Sequence, residues 1–136
     1  MSLFQGEFIF LHSGEPTSFK IDCDFLSDED IKQLAKVISK NIEFNAVYGI
    51  PTGGTRLAEA LKAYIKPGES NKAETLLIVD DVLTTGSSFK SAHEWIRKSK
   101  EYSWKGHIKG VCIFARKPEN KPDWVMSVFN MGMNTD

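Results

Sequence analysis

The sequence predicts an α/β fold with a mostly parallel central sheet. Three observations predict it. Apolar runs of strand length (46–50, 76–79, 110–114 and 124–129) alternate with segments of helical periodicity. The run Leu76-Leu77-Ile78-Val79 is apolar throughout, the pattern of a strand covered on both faces. The chain has 136 residues, which suits a single core and predicts one domain over 1–136, with an α/β core at 26–130.

The elements follow in order. Residues 7–21 read as a small edge hairpin: Phe8, Ile9 and Phe10 are apolar, Ser13-Gly14-Glu15-Pro16 is turn chemistry, and Phe19-Lys20-Ile21 alternates. Ser27 opens a helix, with Asp30 three residues on completing a capping box in which Asp replaces Glu. Ile31, Leu34, Ala35 and Ile38 then form one apolar helical face. Ala46 to Ile50 is a buried strand ending at Pro51. Leu57, Ala58, Leu61 and Ile65 mark a second helix, stopped by Pro67-Gly68. The strand at 76–79 delivers two acids, a polar loop spans Thr84 to Ser88, and Phe89, Ala92, His93 and Ile96 face a third helix. Two further strands close the list. In such sheets ligands sit beyond the carboxyl ends of the strands, here the loops at 50–55 and 80–88.

Composition narrows the function. Lys and Arg number 17 against 18 Asp and Glu, so the net charge of -1 argues against a generally basic nucleic-acid binder. The apolar runs fall far short of the ~20 residues a membrane span needs. The opening MSLFQGEFIF has neither the basic region nor the long apolar stretch of a secretory signal. Two cysteines, Cys23 and Cys112, are too few for a disulfide framework or a zinc site and read as small core residues. A cytoplasmic protein is expected.

The chemistry concentrates in residues 76–88. Four apolar residues bring Asp80 and Asp81 to the sheet edge, and Thr84, Thr85, Gly86, Ser87 and Ser88 lead into a helix. A helix N-terminus offers unpaired N–H groups and the positive end of its dipole to an anion. Gly86 lets the backbone curl around that anion, and the hydroxyls add donors. Carboxylates are poor phosphate ligands but good acceptors for sugar hydroxyls or for water around magnesium. The composite is a site for a sugar carrying a phosphate.

Residues 76–88 resemble the signature of the type I phosphoribosyltransferases: four apolar residues, two acids, an apolar pair, then Thr-Thr-Gly and small hydroxyl residues. The resemblance implies binding of 5-phosphoribosyl-1-pyrophosphate (PRPP). Asp80 and Asp81 would face the ribose 2′- and 3′-hydroxyls, and Thr84 to Ser88 would wrap the 5′-phosphate. Upstream, Tyr48-Gly49-Ile50-Pro51-Thr52-Gly53-Gly54-Thr55-Arg56 is similar to the family's pyrophosphate loop, which assigns Thr52, Gly53, Gly54 and Thr55 to the pyrophosphate. The family often bends this loop with a non-proline cis peptide, expected here at Pro51–Thr52. Mg²⁺ is implied as cofactor, held through PRPP and water near Asp80 and Asp81, and a homodimer is implied as the assembly.

Within the family, the Ser13-Gly14 element and Phe19-Lys20-Ile21-Asp22 resemble the opening of orotate phosphoribosyltransferases, where the hairpin (7–25) covers the base. Phe19, Lys20 and Arg116 would then contact the base, Arg116 pairing its fork with the orotate carboxylate. Arg116 reads equally well as an exposed loop cation. Trp124 either stacks on a purine, as in purine-type members, or sits in a core strand. His93 reads as a packed or partly exposed residue, His12 beside the hairpin reads either as a base contact or as a residue without chemistry, and His107 carries no chemistry of its own. One departure is plain. The family's long mobile loop has no counterpart in the short segment 66–75, which holds Lys66 and Lys72 either as site cations or as surface lysines. The expected activity is Mg-dependent phosphoribosyl transfer from PRPP to a nucleobase, orotate favoured. The alternatives are a purine enzyme and a PRPP-binding regulator without turnover.

Overall fold

A computed structural model describes residues 26–69 and 73–130. The hairpin expected at 7–21, with Phe19 and Lys20, lies outside the described residues.

The first helix, α1 (Asp28–Asn41), starts where the sequence places it. The Ser27 hydroxyl accepts from the Asp30 N–H at 3.1 Å, and the Asp30 carboxylate accepts from the Ser27 N–H at 3.0 Å. Both halves of the capping box are therefore made, and Asp30 is fully buried in making it. Strand β1 (Ala46–Gly49) leads to the short helix α2 (Thr55–Leu61) and a 3₁₀ turn at Lys62–Tyr64. Then come β2 (Thr75–Leu83), α3 (Ser87–Lys98), β3 (His107–Ala115), a 3₁₀ turn at Pro118–Asn120, and β4 (Val125–Asn130).

The four strands stand in the order β1-β2-β3-β4, and every neighbouring pair is parallel. Parallel neighbours need a crossover, and α2 and α3 provide the first two. The third, residues 116–124, has no α-helix. It suffices because β4 starts opposite Gly110, in the middle of β3, so the chain retraces only part of a strand.

The sheet buries both faces. Leu34 and Ile38 of α1 and Leu57 and Leu61 of α2 pack on Leu77, Val79, Val111 and Ile113. Phe89 and Ile96 of α3 pack on Leu76, Ile78, Ile108 and Cys112. This period-two split of β2 explains its unbroken apolar run. Burial pushes the Cys112 thiol up to about 12, so it is an inert core group.

Two expectations need correction. Ile65 does not extend the apolar face of α2, because the helix ends at Leu61 and Ile65 is exposed. The 3₁₀ turn winds more tightly, and Lys66 stands before Pro67, where helical backbone is disfavoured. Strand β2 also does not end at the acids; it carries Asp80 and Asp81 within it and runs on to Leu83.

Ser27→Ala removes one half of the capping box. It should lower unfolding free energy by about 1 kcal/mol in urea titrations, with an unchanged slope.

Candidate functional site: a cavity over the carboxyl end of the sheet

The loop after β1 is folded tightly onto β2. The Ile50 N–H donates to the Val79 carbonyl at 2.9 Å, and the Gly54 N–H turns back to the Ile50 carbonyl at 2.8 Å. The Pro51–Thr52 peptide is cis, as the family resemblance implies. A Cβ on Gly53 would stand 2.4 Å from the Asp81 carboxylate, and one on Gly54 would stand 2.3 Å from the Val79 carbonyl. Only residues without a side chain let the loop come this close to the strand.

The loop's donors are unequally available. The Gly54 and Thr55 N–H groups are spent on the Ile50 and Thr52 carbonyls. Those of Thr52 and Gly53 have no partner among the described residues, and the Thr52 and Thr55 side chains are exposed.

The acid pair stands opposite. Asp81 accepts from the Val82 N–H at 2.7 Å, and Asp80 accepts from the Asp81 N–H at 2.8 Å. Asp80 is only 8% exposed. Burial, a side-chain hydrogen bond to Asp81 and the Asp81 charge together raise the Asp80 carboxyl to about 7. Near neutral pH the pair therefore holds a proton for part of the time, and it presents both donor and acceptor oxygens.

The third component is the turn into α3. Gly86 is its N-cap, with a left-handed φ of 83°, and offers no side chain of its own to cap the helix. The Thr85 hydroxyl accepts from the Ser87 N–H at 3.2 Å and shares a hydrogen bond with the Ser87 hydroxyl. The first α-helical bond runs from the Lys90 N–H to the Gly86 carbonyl, so the Ser88 and Phe89 N–H groups have no partner among the described residues. Ser87 and Ser88, expected in the loop, form the first turn of the helix. The segment after β3 braces this turn: the Asn120 amide donates to the Thr84 carbonyl at 2.8 Å, and the Asn120 carbonyl lies against Gly86.

All three components line one cavity of about 450 Å³, walled by Pro51, Thr52, Gly53, Asp80, Asp81 and Ser88, with Ile31, Ile50, Leu57 and Ile113 as its apolar part. The remaining lining residue is Arg56. Its guanidinium donates to the Leu26 carbonyl and to the Asp28 carboxylate, both at 3.0 Å.

No family model matches the sequence. Solved structures do match. The orotate phosphoribosyltransferase of Aeropyrum pernix aligns with a TM-score of 0.59 at 22% identity, over 88% of this chain and 83% of that one. The Mycobacterium tuberculosis H37Rv orotate phosphoribosyltransferase in complex with PRPP aligns at 0.59 and 16% identity, over 83% and 81%. Adenine phosphoribosyltransferase from Leishmania donovani aligns equally well, at 0.59 and 12% identity, over 82% and 71%. The chain is also similar to UMP synthase of Leishmania donovani (TM-score 0.57, 19% identity, 76% of this chain) but spans only 27% of that protein's length. The fold is that of the type I phosphoribosyltransferases.

The matched proteins differ in the base they are named for, so the phosphoribosyltransferase fold leaves the base open. Arg116 follows β3 at the carboxyl edge of the sheet, half-buried, its N–H donating to the Leu83 carbonyl, but it is not in the cavity wall. Trp124 is turned to the other face of the sheet, edge-on to Phe89 and 4.8 Å from the His93 ring, which makes it a core aromatic. His93 is partly buried beside it, and that burial lowers its pKa. Lys66 stands at the amino edge of the sheet, beside Asn45 and Thr75, at the far end of β2 from Asp80. It is a surface lysine and brings no charge to the cavity. Lys72 lies outside the described residues. Two site residues carried little sequence signal. Arg56 is visible only as the residue after the glycine loop, and Asn120 meets Thr84 across 36 residues of chain.

The raised Asp80 carboxyl makes stability fall with rising pH. Below about pH 4 the group is protonated whether the chain is folded or not. Between there and about 7 the unfolded chain ionises while the folded one keeps its proton, so stability is lost up to about 7 and then levels. Asp80→Asn, which cannot ionise, should melt higher than the parent at pH 8, and the gap should close near pH 4 in thermal melts.

Proposed function

We propose that this chain binds PRPP in the cavity over β2 and transfers its phosphoribosyl group to a nucleobase, releasing pyrophosphate. One observation carries the reading: the 51–53 loop, the Asp80-Asp81 pair and Ser88 share a single cavity of about 450 Å³. That is an anion loop, a sugar-hydroxyl acceptor and a helix N-terminus within one ligand's reach. The fold's likeness to phosphoribosyltransferases of several specificities, one of them in complex with PRPP, supports it.

In this reading the Ser88 and Phe89 N–H groups and the hydroxyls of Thr84, Thr85, Ser87 and Ser88 hold the 5′-phosphate, around Gly86. Asp80 and Asp81 hold the ribose hydroxyls. The Thr52 and Gly53 N–H groups take the pyrophosphate, with Gly54 and Thr55 shaping the loop. Magnesium fits the donor set as a shared ion. Among the described residues no group of three or more His, Cys, Asp or Glu side chains gathers, so most of its oxygens would come from PRPP and water, with Asp80 and Asp81 nearby. Bound there, it supplies neutralising charge to the departing pyrophosphate. The protein's own work is to hold the sugar and phosphate still while C1 loses its leaving group, and to keep that charge in a fixed polar frame.

Orotate is the favoured base, because Arg116 stands on the same sheet edge and the sequence around Phe19-Lys20 resembles that of orotate members. Orotate is already an anion, so the transfer needs no strong general base. A second reading, a PRPP-binding regulator without turnover, has one observation in its favour: the described residues of 66–75 lie at the amino edge of the sheet, where they cannot cover the cavity.

The test is pyrophosphate release from PRPP and Mg²⁺, with orotate, uracil, hypoxanthine, guanine and adenine offered separately. Release with a single base establishes the enzyme and its substrate. Silence with all five, alongside calorimetric PRPP binding, establishes the regulator, and absence of PRPP binding rejects both. Asp81→Asn should weaken PRPP binding by about ten- to a hundredfold, the worth of a charged hydrogen bond. Arg116→Ala should weaken orotate and leave PRPP unchanged.

A further inference from the structure

We infer that Arg56 is the leaving-group cation of this site, a charge supplied from the first turn of α2 in place of one carried by a covering loop. The inference rests on the PRPP reading above. Its starting point is an imbalance of charge. PRPP is a polyanion, yet the described residues lining the cavity include two carboxylates and a single cation, Arg56. The lysine best placed in sequence to help, Lys66, stands at the opposite edge of the sheet.

The position of Arg56 selects the pyrophosphate end of the ligand. It is the second residue of α2, directly after the loop whose Thr52 and Gly53 line the same cavity. The 5′-phosphate end, at Ser88, belongs to a different element.

Its hydrogen bonds leave it able to act. One terminal nitrogen, Nη2, is occupied by the Leu26 carbonyl and the Asp28 carboxylate. The Nε–H and both Nη1–H donors have no partner among the described residues. The two bonds hold the guanidinium in place beforehand, so less side-chain freedom is lost when an anion arrives. The hold itself is weak. The Asp28 side chain is 92% exposed and that of Arg56 is 42% exposed, so solvent screens the pair and a multiply charged phosphate group competes well for the cation. Guanidinium suits this task because it stays charged at any working pH and offers several donors to phosphate oxygens.

The experiment separates the two ends of the ligand. Calorimetry on the full chain with Mg²⁺ measures inorganic pyrophosphate and ribose 5-phosphate separately, for the parent, Arg56→Ala, Arg56→Lys and Asp28→Ala. Arg56→Ala should lose pyrophosphate affinity about tenfold or more and hold ribose 5-phosphate within about twofold, as expected for one charged phosphate contact. Arg56→Lys should recover part of the loss. Asp28→Ala breaks the tether but leaves the charge, and should keep most of the pyrophosphate affinity. Equal losses of both ligands in Arg56→Ala, no loss of either, or an Asp28→Ala loss matching that of Arg56→Ala would make Arg56 a mere tether and overturn the inference. If the parent binds ribose 5-phosphate but not pyrophosphate, the leaving-group assignment falls while the sugar site stands. If the parent binds neither, the PRPP reading itself falls.

Discussion

The site depends on one close approach, the seating of the 51–54 loop against the carboxyl end of β2. Gly53 lies against the Asp81 carboxylate and Gly54 against the Val79 carbonyl, at distances no side chain tolerates. The contact fixes where the anion loop stands relative to the acids, and it fixes where α2 starts. Through α2 it also fixes the place of Arg56 and the packing of Leu57 and Leu61 on the sheet. Elsewhere a lost contact costs stability; here it would also move the loop away from the acids it is meant to face.

Sheet geometry explains the division of labour around that contact. The apolar run of β2 alternates, with Leu77 and Val79 on the α1–α2 side and Leu76 and Ile78 on the α3 side, and the two acids that follow both line the cavity. Two adjacent acids in the sequence still meet different surroundings. Asp80 is the buried one and carries the raised pKa, whereas Asp81 stands against the loop. A carboxyl held above its usual range can donate as well as accept near neutral pH, and a hydroxyl group does both.

The described residues supply the floor of the cavity. The loop, the acids and the α3 N-terminus are each built from backbone held by internal hydrogen bonds, and the 118–120 turn braces them through Asn120. The link between α2 and β2 is short, and its described part runs at the other end of the sheet. Arg56 is the cation among the described residues of the cavity wall.

Much of this was legible in the sequence, because the relevant physics is local. The capping box at Ser27, the apolar run of β2, the glycine loop after Ile50 and the hydroxyl-rich turn before α3 are short-range patterns whose chemistry follows from neighbours in the chain. The sequence by itself determined the α/β class, the order of elements and the two loops at the carboxyl edge. Tertiary structure decided the rest. It alone turned Trp124 toward Phe89 and His93, put Lys66 at the wrong end of the sheet to serve the site, joined Asn120 to Thr84, and brought Arg56 into the cavity wall beside two acids. These are contacts between segments far apart in the chain, and periodicity carries no information about which of several apolar or charged residues ends up facing the same space. The raised pKa of Asp80 belongs here too, since it arises first from burial in the folded chain.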